Sequence, residues 1–232
     1  MSGNLALHQA LSGHEKIVVL APHPDDETLA CGGLLARAFA DAGAHVICLT
    51  DGSASHPSSV NWPSARLAAE RHIELIKAVE ILGGTADDVT WLGLPDSRLH
   101  VVAETEVLAA LTEVIDRHKA KHVFVPARED KHCDHQTTAQ HAETLRGKRP
   151  DLHFHSYPVW SRWDDPEFAQ NTARYDPVRL NTSAVRQTKI AGIRAHRSQL
   201  GQIVQDDPDG FVLPEAMVDL FAQNDEIFWR MP

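Results

Sequence analysis

Short β-branched runs alternate with longer segments of helical period along most of this chain, and that alternation limits its fold more than any other feature. The runs are KIVVLAP (16–22), HVICLTD (45–51), VTWLGL (89–94) and HVFVPA (122–127), with a later extended stretch LHFHSYPVW (152–160). Helical spacing begins near Glu27, Ser64, Ala103 and Asp134, and again over SAVRQTKIAGIRAHRSQL (183–200). Strands that follow one another through helices pair in parallel and are buried on both faces. The expected class is therefore α/β, a mainly parallel sheet covered by helices. At 232 residues, with no repeat, low-complexity tract or Gly/Ser linker, one domain over 1–232 is expected. The irregular, proline-containing stretches 53–63 and 164–177 read as loops near a binding cleft or a subunit contact.

The formal charge of −10 and the lack of any Lys/Arg block disfavour nucleic acid or an anionic membrane surface as partner. A small molecule fits better. MSGNLALHQALSGHEK lacks the basic start and long apolar stretch of a secretory signal, and nowhere do about 18 apolar residues run together. A cytoplasmic protein without membrane insertion is expected. Cys31, Cys48 and Cys133 are odd in number and irregularly spaced, so reduced thiols are expected, the first two in the core.

In an open parallel sheet, ligands bind beyond the carboxyl ends of the strands. Directly after the first run comes His-Pro-Asp-Asp-Glu (23–27), one imidazole and three carboxylates in five positions. Three readings compete. Capping of a helix N-terminus explains one or two acids but not His23. A nucleotide turn would need G-x-G-x-x-G, which is absent, and its phosphates would be repelled. A divalent metal would neutralise the carboxylates and accept the imidazole. The fourth run is followed by REDKHCDHQTTAQH (128–141), again with His and Asp together at a strand end. Two such clusters beside one sheet favour the metal.

PHPDDE followed downstream by HCDH resembles the LmbE-like, or PIG-L, family of metal-dependent deacetylases. RHIELIKAVEILGG (71–84), LGLPDSRL (92–99) and KIAGIRAHRSQ (189–199) resemble further motifs of that family. The resemblance implies a three-layer Rossmann-like fold with helices on both faces of the sheet. It also implies hydrolysis of the acetyl group from an N-acetylglucosamine-type sugar or glycoconjugate, commonly with Zn2+.

By position, the resemblance makes His23, Asp26 and His135 the metal ligands, a set that leaves a coordination place open for water. Iron(II) suits the same donors. Asp25 matches the general base, and His132 a histidine that, when protonated, stabilises the oxyanion or protonates the departing amine. Asp134 is expected to orient a histidine. Arg71 matches a sugar-binding arginine, against a salt bridge with Glu74. Asp96, Arg128 and His196 are further expected substrate contacts, Arg128 for an anionic leaving group. Glu27 reads as a cap and Asp130 as a support for His132, while Cys133 departs from the family's proline and is expected to point away from the metal. Trp160 and Trp163 suit stacking on a sugar or, if exposed, a homo-oligomer interface. The remaining histidines read mostly as surface or interfacial. Two alternatives stay open: an amidase or esterase for another acylated conjugate, and a catalytically silent metal- or sugar-binding module.

Overall fold

A computed structural model describes residues 5–232; the first four residues of the N-terminal stretch discussed above lie outside it. The strands are β1 (Ile17–Ala21), β2 (Ala44–Thr50), β3 (Val89–Leu94), β4 (His122–Pro126), β5 (His153–Tyr157), β6 (Val178–Leu180) and β7 (Glu226–Arg230). They form one sheet in the order β3-β2-β1-β4-β5-β7-β6. The first five in that order run parallel, β7 is antiparallel to β5, and β6 is antiparallel to β7. The helices are α1 (Leu5–Leu11), α2 (Asp26–Phe39), α3 (Ser64–Ile81), α4 (Glu104–His118), α5 (Cys133–Lys148), α6 (Trp160–Asp164), α7 (Phe168–Ala173), α8 (Arg186–Ala195) and α9 (Glu215–Gln223).

The period of two along a strand sends neighbouring side chains to opposite faces, and here both faces are dry. Ile17, Val19 and Ala21 of β1 join a core with Leu34 of α2, Leu75 of α3, Ile193 of α8 and Phe221 of α9. Val18 and Leu20 join a second core with Leu111 and Ile115 of α4 and Leu145 of α5. The result is the three-layer, Rossmann-like α/β arrangement. Cys31 and Cys48 are buried within it, as expected.

Two parts depart from the sequence reading. The stretch 164–177 holds α7 and packs against β7, with Phe168 and Tyr175 on Trp229. It does not border the cavity described below. Several histidines read as surface groups, among them His45, His122, His141 and His155, are buried. His122 Nδ1 and His155 Nε2 lie 3.0 Å apart between β4 and β5.

The strand order reverses between β1 and β4, which opens a crevice beyond their carboxyl ends. Helix α2 starts in that crevice and is fastened at its middle. Glu226 of β7 accepts hydrogen bonds from the backbone N–H groups of Gly33 at 2.6 Å and Leu34 at 2.9 Å, and from Lys189 Nζ at 2.7 Å. Lys189 and Glu226 are both fully buried. Any Cβ at Gly33 would stand 2.5 Å from Thr182 Cγ2. Gly33→Ala should therefore lower stability by about 1–3 kcal/mol, read as a fall in Tm. Burial pushes His155 down to about 3. The neutral ring is the one the fold accepts, so its contribution is complete above the ordinary histidine range and fades as pH falls through it. Between pH 7 and pH 5 the wild type should lose about 2 kcal/mol more stability than His155→Phe in denaturant titrations; equal losses would refute this.

Candidate metal centre

Three βα turns meet in the crevice. The turn after β1 carries His23, Asp25 and Asp26; the turn after β3 carries Asp96 and Ser97; and the turn after β4 carries Asp130, His132, Asp134 and His135. Each helix start is set locally. Asp25 is the N-cap of α2, with φ 148°, and Asp26 opens the helix. His132 is the N-cap of α5, its Nδ1 accepting from the Asp134 N–H at 3.3 Å. Helix α5 starts at Cys133, one residue before the expected position.

One carboxylate joins the two histidines. Asp26 Oδ2 lies 3.2 Å from His23 Nδ1 and 3.1 Å from His135 Nε2. One donor atom from each of the three lies within 4.8 Å of the others, a spacing that a metal ion can span. The far nitrogen of each imidazole faces a different carboxylate: His23 Nε2 lies 3.2 Å from Asp134 and 3.4 Å from Asp96, and His135 Nδ1 lies 2.9 Å from Asp130. A carboxylate behind a histidine is the usual device for aiming its other nitrogen at a metal. His23, His132 and Asp134 form a second group of suitable spacing. There, however, the carboxylate is already occupied, accepting the N–H groups of Ser97 at 2.7 Å and Leu99 at 3.0 Å.

The donors also fit a cation in their chemistry. Although burial works in the opposite direction, the surrounding carboxylates hold His23 well above the ordinary histidine range, and Asp26 and Asp130 raise His135 to about 9. Burial alone would raise Asp26, but the two imidazoles keep it well below the carboxylate range. His135 Nε2 is buried without a hydrogen-bond partner, although it lies 3.1 Å from the shared carboxylate.

Asp25 stands apart from this set. Its Oδ2 accepts from Arg71 Nη2 at 3.2 Å, and its N–H donates to Glu27 Oε2 at 3.0 Å. Arg71 also donates to the carbonyls of Gly52 at 2.8 Å and Pro24 at 2.9 Å. A Cβ on Gly52 would stand 2.6 Å from that guanidinium. Burial raises the Asp25 carboxyl to about 6, against the pull of Arg71. A carboxylate with a pKa near the working pH is the sort that serves as a base.

Several residues fall elsewhere than the sequence suggests. Arg71 pairs with Asp25 rather than Glu74, whose carboxylate instead accepts from the Ser198 N–H at 2.7 Å and hydroxyl at 2.6 Å. Asp130 backs His135 rather than His132, and is held by the N–H groups of Val159 at 3.0 Å and Ser161 at 2.8 Å. Glu27 is fully buried and meets His196 Nε2 at 3.1 Å. His196 thus sits behind the Asp25 turn, not on the cavity wall, because this carboxylate holds it there. Arg128 is exposed and lines a separate groove with Gln136 and Glu143 of α5, away from the metal cluster. Cys133 Sγ contacts the Ser97 carbonyl and belongs to neither ligand group. Burial pushes His132 down to about 4, so the ring is neutral, with its edge toward His23 at 4.5 Å between centroids. Neither tryptophan forms an exposed patch: Trp163 packs on the core, and Trp160 lines the cavity.

That cavity, about 600 Å³, is bordered by His23, Asp25, Asp26, Arg71, Asp96 and His132 on its polar side. The expected loop 53–63 contributes Ala54, Ser55 and Pro57. Gln199 and the segment 209–213 also line it. The sequence reading missed that segment, whose only local signal is the turn chemistry of DDPDG.

Residues 18–145, more than half of the chain, match the PIG-L family, described as GlcNAc-PI de-N-acetylase, and the chain belongs to that family. No curated protein matches the sequence significantly. Among solved structures, N,N'-diacetylchitobiose deacetylase from Pyrococcus horikoshii superposes with a TM-score of 0.68 at 21% identity, covering 99% of this chain and 90% of that one. The zinc-inhibited form of teicoplanin deacetylase gives 0.67 at 16%, covering 93% and 97%. A 4-carboxy-2-hydroxymuconate hydratase from Pseudomonas putida gives 0.67 at 19%, covering 90% and 83%. These likenesses establish a shared fold. Among the described residues, no helix is long and apolar enough to cross a membrane.

Loss of a carboxylate behind a metal histidine typically weakens metal binding 10–100-fold. Asp130→Asn should do so here in a chelator competition, and His135→Ala should lower the metal stoichiometry itself. A stoichiometry unaltered in His135→Ala would remove that residue from the ligand set.

Proposed function

We propose that this chain is a metal-dependent N-deacetylase that removes acetyl from an N-acetylglucosamine-type amino sugar or its conjugate. The observation that carries the reading is the Asp26 carboxylate shared by His23 and His135, each imidazole backed by its own carboxylate. His23, Asp26 and His135 would hold the ion. When bound, a divalent cation supplies Lewis acidity toward the amide carbonyl and acidifies a water. The teicoplanin deacetylase described in a zinc-inhibited form supports a divalent-metal site, and the imidazole and carboxylate donors suit iron(II) as well as zinc.

Asp25 takes the proton of the attacking water. Arg71 occupies one of its oxygens and the other is left for that transfer, while Arg71 and Glu27 together fix the strained backbone of the turn. His132, neutral and beside His23, is placed to hydrogen-bond the developing oxyanion, and the proton taken up by Asp25 passes to the amine as it leaves. Asp134 and Asp96 act by orienting His23. Asp96, Arg71 and Gln199 border the cavity where sugar hydroxyls would lie.

A 4-carboxy-2-hydroxymuconate hydratase, named for a carboxylated substrate, also shares this fold. Arg71 is the sole Lys or Arg among the residues bordering the cavity, alongside four aspartates. Such a lining suits a neutral amide better than a polyanion. Asp25→Asn should reduce kcat/KM for N-acetylglucosaminides by about 10²–10⁴-fold with metal content retained. Turnover undiminished under those conditions would exclude Asp25 as the base. A panel of N-acetylated amino sugars, other acylated amines and esters, scored for acetate release, separates the deacetylase from an amidase or esterase. A silent binding module would release none.

A further inference from the structure

The cavity over the metal cluster has two unlike sides, and the reaction described above uses only one. At about 600 Å³ it falls in the range that encloses a drug-sized ligand, well beyond an acetamido group. Besides Asp25, Arg71 and Asp96, the lining holds Trp160, Phe211, Val212, Leu213 and Met217. A file of rings leads from the ligands to this side: His132 lies nearly parallel to Trp160, with centroids 6.1 Å apart, and Trp160 meets Phe211 at 5.6 Å. Val212, at the rim, is 41% exposed, although it is a large apolar residue.

The apolar side is built, not loose. The Phe211 N–H donates to the Ser55 carbonyl at 2.7 Å, and the Leu213 N–H to the Gln199 carbonyl at 2.7 Å. Asp206 accepts from the N–H groups of Val60 and Asn61, and Asp207 from that of Ser58. Gly210 packs so closely on His56 that a Cβ would stand 2.2 Å from its ring. These bonds preorganise the wall, which reduces the ordering cost of binding. Charge narrows the ligand further, because Arg71, the sole Lys or Arg bordering the cavity, is committed to Asp25, and four aspartates share the lining.

We infer, building on the deacetylase reading, that the wall formed by Trp160, Phe211, Val212, Leu213 and Met217 binds an uncharged apolar substituent of the substrate. The substituent is an aryl or alkyl group, carried either on the anomeric oxygen or as an acyl chain longer than acetyl. Calorimetric titration of the metal-loaded protein with phenyl β-glucoside, hexyl β-glucoside, glucose and glucose 6-phosphate reads binding without turnover. The two apolar glucosides should bind at least about tenfold more tightly than glucose, with a negative heat-capacity change. Val212→Asp, at an exposed position, and Phe211→Ser should each shrink that ratio toward one. Equal affinity for glucose and hexyl glucoside, preference for glucose 6-phosphate, or a ratio unchanged in both variants would overturn the inference. Comparing kcat/KM for phenyl and hexyl glycosides of N-acetylglucosamine with that for N-butyryl- and N-hexanoylglucosamine then assigns the group to the aglycone or to the acyl chain. If the binding contrast holds while no N-acyl sugar is hydrolysed, the deacetylase reading falls and the apolar wall stands.

Discussion

Buried carboxylates have to be compensated, and this chain gathers five of them in one crevice. Asp25, Asp26, Asp96, Asp130 and Asp134 are all less than a tenth exposed. An uncompensated buried ion costs several kcal/mol even after relaxation. Most of the local architecture answers that cost. Backbone N–H groups of the turns after β3 and β5 point at Asp134 and Asp130. Arg71 is drawn through a gap kept by Gly52 to reach Asp25. The imidazoles of His23 and His135 take up what remains. The acids are thus the reason these turns are held by so many directed hydrogen bonds and ion pairs.

Topology brings these groups together from far apart in sequence. His23 and Asp134 are 111 residues apart and lie 3.2 Å from one another, because the strands that precede them are neighbours in the sheet. The reversal of strand order between β1 and β4 keeps either crossover helix from closing the crevice. The later part of the chain completes the enclosure: α6 supplies Trp160, and the segment before α9 supplies the far wall.

The parallel half of the fold was legible in the sequence because β1, β2 and β4 are buried along their whole length and read as largely apolar runs, separated by segments of helical period. VTWLGL matches β3 to the residue, and β1, β2 and β4 match to within one residue at each end. The antiparallel edge was not legible. β6 has only three residues, and β7 begins with Glu226, whose charge hides a strand unless its partner Lys189 is known. The residues expected to hold the metal converge, since two strand-end clusters with metal-ligand residue types mark them. The pairings of Asp130 with His135 and of Glu27 with His196 depend on side-chain direction, which spacing does not reveal. Arg128 and His196 were misplaced for the same reason. The apolar wall escaped notice because it belongs to a loop without periodicity.

The Glu226–Lys189 pair has a consequence for the order in which the protein matures. Helix α2 begins at Asp26, a candidate metal ligand, yet its middle is fastened by a carboxylate 193 residues further on. As the chain leaves the ribosome, His23, Asp26 and His135 all emerge well before Glu226. Until that acid arrives, Lys189 has no countercharge in the core and the N–H groups of Gly33 and Leu34 lack this acceptor. Firm seating of α2 therefore depends on completion of the sheet, and a nascent chain that already carries His23, Asp26 and His135 still lacks the strand that fastens this helix.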